Sequence, residues 1–295
     1  MKKRLLFVVN FHSGQGQIKG RLAEVIDKMV KAGYEVIVHP TQSRGDATRI
    51  VAEKAAEIDR IVVSGGDGTL NEAVQGLSQA GVRVPVGYLP AGSTNDFGTS
   101  LGIPKDLMAA TDMALGDKIF TCDMGLFNDR SFVYVAAFGT FAEVSYETPQ
   151  EAKNVLGHNA YILEGLRQLR NLTSYRATVT CIGETYEGDF LCALVTYTKS
   201  VGGFSGIIPG HIDLCDGLLE VTLVRNPRNV LEFNEIVGFL TGLVEQTDNV
   251  ICLQSDRVEF CTETAVPWTL DGEFGGTWAK VNIRNNPGCA DLVVG

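Results

Sequence analysis

A chain of 295 residues, 45% hydrophobic and 20% charged, has enough apolar material for a sizeable core and suggests two domains. Its 25 basic and 35 acidic residues leave a formal net charge of −10, which argues against nonspecific nucleic-acid binding, since that needs a basic face. The same balance gives no general attraction to anionic lipid, and no run approaches the ~20 apolar residues of a membrane span.

The chain opens with Met1-Lys2-Lys3-Arg4 and an apolar run from Leu5 to Val9. That run is shorter than the roughly 7–15 residues of a secretory h-region, so it reads as a first buried strand rather than a signal peptide. Further strands are predicted over 34–39, 59–64 and 84–89, with a short one near 118–123. Between the first two, Ile18, Leu22, Val25, Ile26, Met29 and Val30 form a helical stripe that ends at Gly33. Ser43 is a candidate cap for the next helix, which runs through Ile50, Val51 and Ala55. A third helix carries Leu70, Val74 and Leu77 on one face, and Pro104 opens a fourth. Apolar strands separated by single helices predict a parallel α/β sheet of Rossmann-like type. Ligands of such sheets bind at the carboxyl ends of the strands. The loops 10–14, 40–46, 64–72 and 89–97 all follow strands and can converge there.

The most specific of these loops is Gly65-Gly66-Asp67-Gly68-Thr69-Leu70-Asn71-Glu72, which follows the apolar run Ile61-Val62-Val63-Ser64. Glycines let the backbone turn without a side chain in the way of a ligand. Successive N–H groups at the start of the following helix then face an anion. Asp67 and Glu72 add negative charge, which fits a divalent cation accompanying a phosphate. A close-packed βα turn is the plainer reading. Ser93-Thr94-Asn95-Asp96 is either part of the same pocket or a simple helix cap.

After about residue 125 the pattern changes. Segments 131–138, 175–182, 187–199, 217–225, 257–262 and 277–284 are rich in Val, Thr, Phe and Tyr and are separated by turn residues. Helical patterns lie at about 158–171 and 227–245. A mainly antiparallel β domain is therefore expected over 128–285, following an α/β domain over 1–127. Asp213-Leu214-Cys215-Asp216-Gly217-Leu218 is a metal-binding turn or a surface loop. Asp271-Gly272 is a type I′ hairpin signal, which would make Glu273 a solvated hairpin residue. Phe204, Ile207, Ile208 and Pro209 either border acyl chains or pack in a core. Seven cysteines without a Cys-x-x-Cys pair suggest reduced thiols in a cytosolic protein, and the four scattered histidines lack zinc-site spacing.

Five segments together resemble the diacylglycerol-kinase-type lipid kinases. They are Asn10-Phe11-His12-Ser13-Gly14 (with Phe11 where the family usually has proline), the Gly65–Glu72 run, Pro90 to Phe97, Asp213 to Leu218, and Asp271-Gly272-Glu273. The resemblance implies two domains, the second a β-sandwich that takes the lipid, with residues from about 286 to 295 packing back on the first. It implies ATP bound by Asn10, Ser13, Gly14, Thr41, Gly66, Asp67, Gly68, Thr69, Leu70, Asn71, Glu72, Thr94 and Asn95. It implies Mg²⁺ held by Asp213, Asp216 and the carbonyl of Leu218, with Glu273 as proton acceptor. Asp67 and Asp123 compete for that last role, because sequence cannot say which carboxylate reaches the substrate hydroxyl. The expected acceptor is diacylglycerol or a similar lipid met at the membrane surface by a cytoplasmic, peripherally bound enzyme, and a homodimer is an open option. A kinase of another acceptor, such as a sphingoid lipid, phosphatidylglycerol or NAD, and a non-catalytic lipid or nucleotide sensor are the alternatives.

Overall fold

The computed structural model describes residues 2–14, 17–92, 95–139, 173–197, 200–201, 204–205, 214–240, 243–244 and 246–295. The chain forms two compact units. The first comprises Met1–Tyr134, Asp213–Gly217 and Asn285–Gly295, and the second Val135–Ile212 and Leu218–Arg284.

In the first unit, β1 (Lys3–Val9), β2 (Tyr34–Pro40), β3 (Arg60–Gly65) and β4 (Val86–Pro90) make a parallel sheet in the order β2-β1-β3-β4. Leu5 through Val9 and Ile61 through Val63 are wholly buried, as expected for strands covered on both faces. The connections are α1 (Gln17–Lys31), α2 (Asp46–Lys54) and α3 (Asp67–Ala80), and each buries an apolar face: Ile18, Val25 and Met29 on α1, Ile50 and Val51 on α2, Leu70, Val74 and Leu77 on α3. α2 and α3 cross closely at Gly76, where a Cβ would lie 2.6 Å from the carbonyl oxygen of Thr48 and 2.7 Å from the Val51 side chain. Ser43 caps nothing with its side chain. The N-cap of α2 is Gly45, at φ 81°, a conformation that glycine adopts freely. Two short helices follow, α4 (Asp96–Ser100) and α5 (Leu107–Ala114), so Pro104 precedes the N-cap of α5 rather than opening it. The strands β5 (Ile119–Phe127) and β6 (Arg130–Phe132) form a hairpin, and the end of the chain adds a strand parallel to β4 at Leu292 and Val86.

The second unit is antiparallel. It contains β7 (Val135–Gly139), β8 (Tyr175–Cys181), β9 (Glu184–Thr196), the short pair β10 (Ser200–Val201) and β11 (Phe204–Ser205), β12 (Leu219–Arg225), α6 (Val230–Leu240), β13 (Val250–Ser255), β14 (Arg257–Leu270) and most of β15 (Glu273–Val293). β7 and β8 share one slot between the long strands β9 and β14: β8 pairs with Glu184–Phe190 and Val258–Thr262, and β7 with Cys192–Thr196 and Trp268–Leu270. The core there is aromatic, with the rings of Phe138 and Phe260 packed edge-on against Trp268 at 4.9 and 5.2 Å. The sequence pattern merged β6 and β7 into one strand and missed α4 and β13. Its helix at about 158–171, and Ile207, Ile208 and Pro209, lie outside the described residues.

Candidate active site

The four parallel strands end on one side, and hydrogen bonds continue the ladder into the loops that follow. The amide of Asn10 donates to Ser64 O (2.8 Å), that of Thr41 to Val9 O (2.9 Å) and that of Ala91 to Gly65 O (2.8 Å). Side chains then tie the loops to one another. Asn10 Nδ2 donates to Thr69 Oγ1 (3.2 Å), and the amide of Gly66 donates to Ser13 Oγ (3.3 Å). Glycine is required where the loops touch: a Cβ on Gly65 would sit 2.5 Å from Thr69 Oγ1, and one on Gly92 would sit 2.8 Å from the Cα of Gly66. Gly14, at φ 55°, passes against the carbonyl of Ala91. Asn10, Ser13, Gly14, Gly66 and Thr69 therefore meet in one cluster.

At its centre is the N-terminus of α3. Gly66 is the N-cap, with extended backbone and no side-chain cap, whereas α5 is capped by Asp106, whose carboxylate accepts the amides of Met108 and Ala109. The amide of Thr69 turns back to Gly66 O (2.9 Å), and a helix N-terminus without a side-chain cap is suited to bind an anion.

The acids of this region are tied into the fold by hydrogen bonds. Asp67 was expected as a loop acid placing charge beside a cation. It is the first residue of α3 and is buried, accepting the Tyr88 hydroxyl on Oδ1 (3.1 Å) and the amide of Asp96 on Oδ2 (3.1 Å). Burial, and then the neighbouring Asp67 charge, push the Tyr88 hydroxyl pKa well up, so it stays a donor. Glu72, also expected beside the cation, accepts the amide of Gly45 on Oε1 (2.8 Å) and that of Ala47 on Oε2 (3.2 Å). Asn71 turns to the β5–β6 hairpin, donating to Ser131 O (3.3 Å), and Leu70 is a core side chain. Gly68 is the second residue of α3. Thr41 is buried, with Oγ1 3.5 Å from Val9 O. Asn95 sits at φ 53° and closes its own loop, accepting the amide of Gly92 and donating to its carbonyl, both at 2.8 Å. Thr94 lies outside the described residues.

Asp123, the third candidate proton acceptor, is buried. Its Oδ1 accepts the amide of Gly288 (2.7 Å), and its Oδ2 accepts the amide of Gly217 and Nδ2 of Asn285 (3.0 Å each). Its own amide donates to Leu214 O (2.9 Å). The residue fastens the 214–217 turn to the first unit, although the sequence pattern had put that turn in the β-rich half. Within the turn Gly217 has φ 82° and Asp216 is exposed; Asp213 lies outside the described residues. An exposed carboxylate on a backbone turn held by a buried anchor fits one corner of an oxygen site for a hard cation. In the second unit, Asp271 and Gly272 both have positive φ (51° and 81°), the two-residue turn that the Asp-Gly pair signals. Asp271 is buried and joined to β7 by its amide, which donates to Val135 O (2.9 Å), and by Oδ1, which accepts the Val135 amide (3.1 Å). Glu273 is exposed. Nothing in the pattern marked Tyr88 or the fastening roles of Glu72 and Asp123, because hydrogen bonds between distant segments leave no local signature.

The diacylglycerol kinase catalytic-domain family model matches residues 4–127, and the YegS C-terminal NAD kinase beta sandwich-like domain model matches 135–294. A diacylglycerol kinase of Bacillus subtilis is 35% identical over 277 residues, covering 93% of this chain and 91% of that protein. The chain belongs to the diacylglycerol kinase family. Its relatives include a Staphylococcus carnosus diacylglycerol kinase, 34% identical over 94% of this chain and 90% of that protein. The fold of a Bacillus anthracis diacylglycerol kinase, 20% identical, superposes with a TM-score of 0.78 over 100% of this chain and 97% of that one.

Proposed function

We propose that the protein transfers the γ-phosphoryl group of ATP to the hydroxyl of diacylglycerol, giving phosphatidate. The observation that carries this is the N-terminus of α3, which has no side-chain cap and where Asn10 and Ser13 of the loop after β1 meet Thr69 and Gly66. In this reading the first unit acts as a Rossmann-like nucleotide domain, and its first-turn amides hold the ATP phosphates. Transfer of this kind is catalysed mostly by positioning and charge neutralisation. Asp213, Asp216 and the carbonyl of Leu218 would hold Mg²⁺, which supplies neutralisation of phosphate charge. Asp123 supports that role by fixing the turn through Gly217 and Leu214.

The proton acceptor is assigned to Glu273. Asp67 and Asp123 are buried and accept hydrogen bonds on both carboxylate oxygens, so neither offers the substrate an accessible base, and geometry comes before pKa. The β-rich unit takes the lipid. Among the described residues no helix is long and apolar enough to cross a membrane, which supports a peripheral enzyme meeting its substrate at the surface. Measuring ADP release with and without diacylglycerol micelles tests the reading, and a panel of sphingoid base, ceramide, phosphatidylglycerol and NAD tests the acceptor. Turnover on NAD without any on lipid would replace the proposal with the NAD-kinase alternative; no turnover with any acceptor would favour a sensor.

A further inference from the structure

The geometry points to Glu72 as a positioning residue that sets the loop between β2 and α2 for nucleotide binding, an inference resting on the reading of that loop as part of the ATP pocket. Glu72 is on α3, the helix whose N-terminus faces the phosphates, yet its carboxylate reaches a different helix. Oε1 takes the amide of Gly45 at 2.8 Å, Oε2 that of Ala47 at 3.2 Å, and the main-chain carbonyl of Glu72 takes the Thr48 hydroxyl at 2.9 Å. The N-cap of α2 is a glycine with no side chain to offer, so the capping acceptor comes from α3 instead. Lower down, Gly76 lets the two helices touch backbone to side chain. At the inner end of the same loop, Asp46 accepts the amide of Gln42 at 2.9 Å. The segment Thr41–Gly45 is thus held at both ends, and one of the two fasteners is built into the phosphate-binding helix. Any ligand drawn to α3 finds the Thr41 loop already placed.

A carboxylate suits this task because two N–H donors need two acceptors. Glutamine offers one oxygen and would set its own NH₂ against the second amide. The experiment compares wild type, Glu72→Gln and Glu72→Ala. Amide hydrogen exchange is followed at Gly45 and Ala47 without nucleotide, ATP binding is followed by calorimetry, and KM is measured for ATP and for diacylglycerol. Exchange at the two amides should rise by about tenfold or more in Glu72→Ala, since local opening governs it. ATP affinity should fall by roughly tenfold, the scale expected when a binding loop loses its preorganisation. KM for diacylglycerol should hold, kcat should change less than ATP affinity, and Glu72→Gln should fall between. Unchanged exchange at Gly45 and Ala47 overturns the clasp. Faster exchange with unchanged ATP affinity makes Glu72 merely structural. Weaker ATP binding with unchanged exchange means that Glu72 touches the nucleotide itself. A wild type that binds no ATP at all sinks the pocket reading, while the exchange data still judge the clasp on their own.

Discussion

The carboxyl end of the parallel sheet and the β14–β15 hairpin both carry acids, and the fold treats them differently. At the sheet, Asp46, Asp67 and Glu72 each accept backbone amides, Asp67 takes a buried hydroxyl as well, and Asp123 on β5 accepts backbone amides in the same way. At the hairpin, Asp271 is used in the same way, but Glu273 stands exposed on the next residue but one. The difference resolves a tension in the motif. An unneutralised acid in a phosphate loop would repel its ligand. Asp67 need not, because two donors and the start of α3 stabilise its charge. The acids of the sheet are tied to backbone amides, whereas Glu273 is exposed, and the proposed division of labour between phosphate binding and proton acceptance rests on that contrast.

The sharpest way to break that division is to remove charge from each kind. Glu273→Gln keeps volume and hydrogen-bonding shape but loses basicity, so kcat should fall by about 10²–10⁴-fold with ATP affinity nearly unchanged. If Glu273→Gln is mild and Asp67→Asn is severe in a protein of wild-type stability, the two regions have exchanged roles.

Asp67→Ala should now cost stability as well as activity. It takes the acceptor from the Asp96 amide in a buried setting, worth about 1–3 kcal/mol for an unsatisfied group, while the Tyr88 hydroxyl keeps only the Gly65 carbonyl (3.2 Å). The motif alone suggests loss of transfer without unfolding; the burial of Asp67 predicts loss of both. Urea denaturation decides, and an unchanged midpoint would return Asp67 to the exposed class.

A smaller effect concerns Asp216. Mg²⁺ that binds only the folded state should raise Tm in wild type and not in Asp216→Ala, since stabilisation follows occupancy. Equal shifts in both would move the cation away from the 214–217 turn.

The strands of the first unit and their loops were legible because their signals are local. Val8-Val9-Asn10 and Val63-Ser64-Gly65 announce a strand and its exit without reference to anything else. The roles of the acids were not legible. Glu72 reads as a helix residue on the motif, and only the approach of α2, 25 or more residues earlier, turns it into a cap. Asp123 reads as the polar end of a strand, yet its partners lie at 214–217 and 285–288. Asn95 reads equally as a pocket residue or a cap, because cap residues and ligand-binding residues are the same types, and the fold puts it at the N-cap of α4.

The finest test of the division is the pH dependence of the Thr41 loop. Asp46 is buried at the start of α2 and its pKa is lowered from 3.8 to about 2, first by the Gln42 amide and then, against the cost of burial, by Arg49 and His39. A carboxyl whose folded pKa is depressed stabilises the fold fully above its unfolded value and loses that contribution as the pH falls through the folded one. Asp46→Asn should therefore be less stable than wild type at pH 7 and down to about pH 4. The gap should close between about pH 4 and pH 2, where wild type becomes protonated and the two side chains carry the same charge. Urea midpoints measured for both proteins across that range give the answer directly. A gap that stays constant to the lowest pH would mean that shape, not charge, makes Asp46 hold the loop, and that this acid does not belong with the charged fasteners of the sheet.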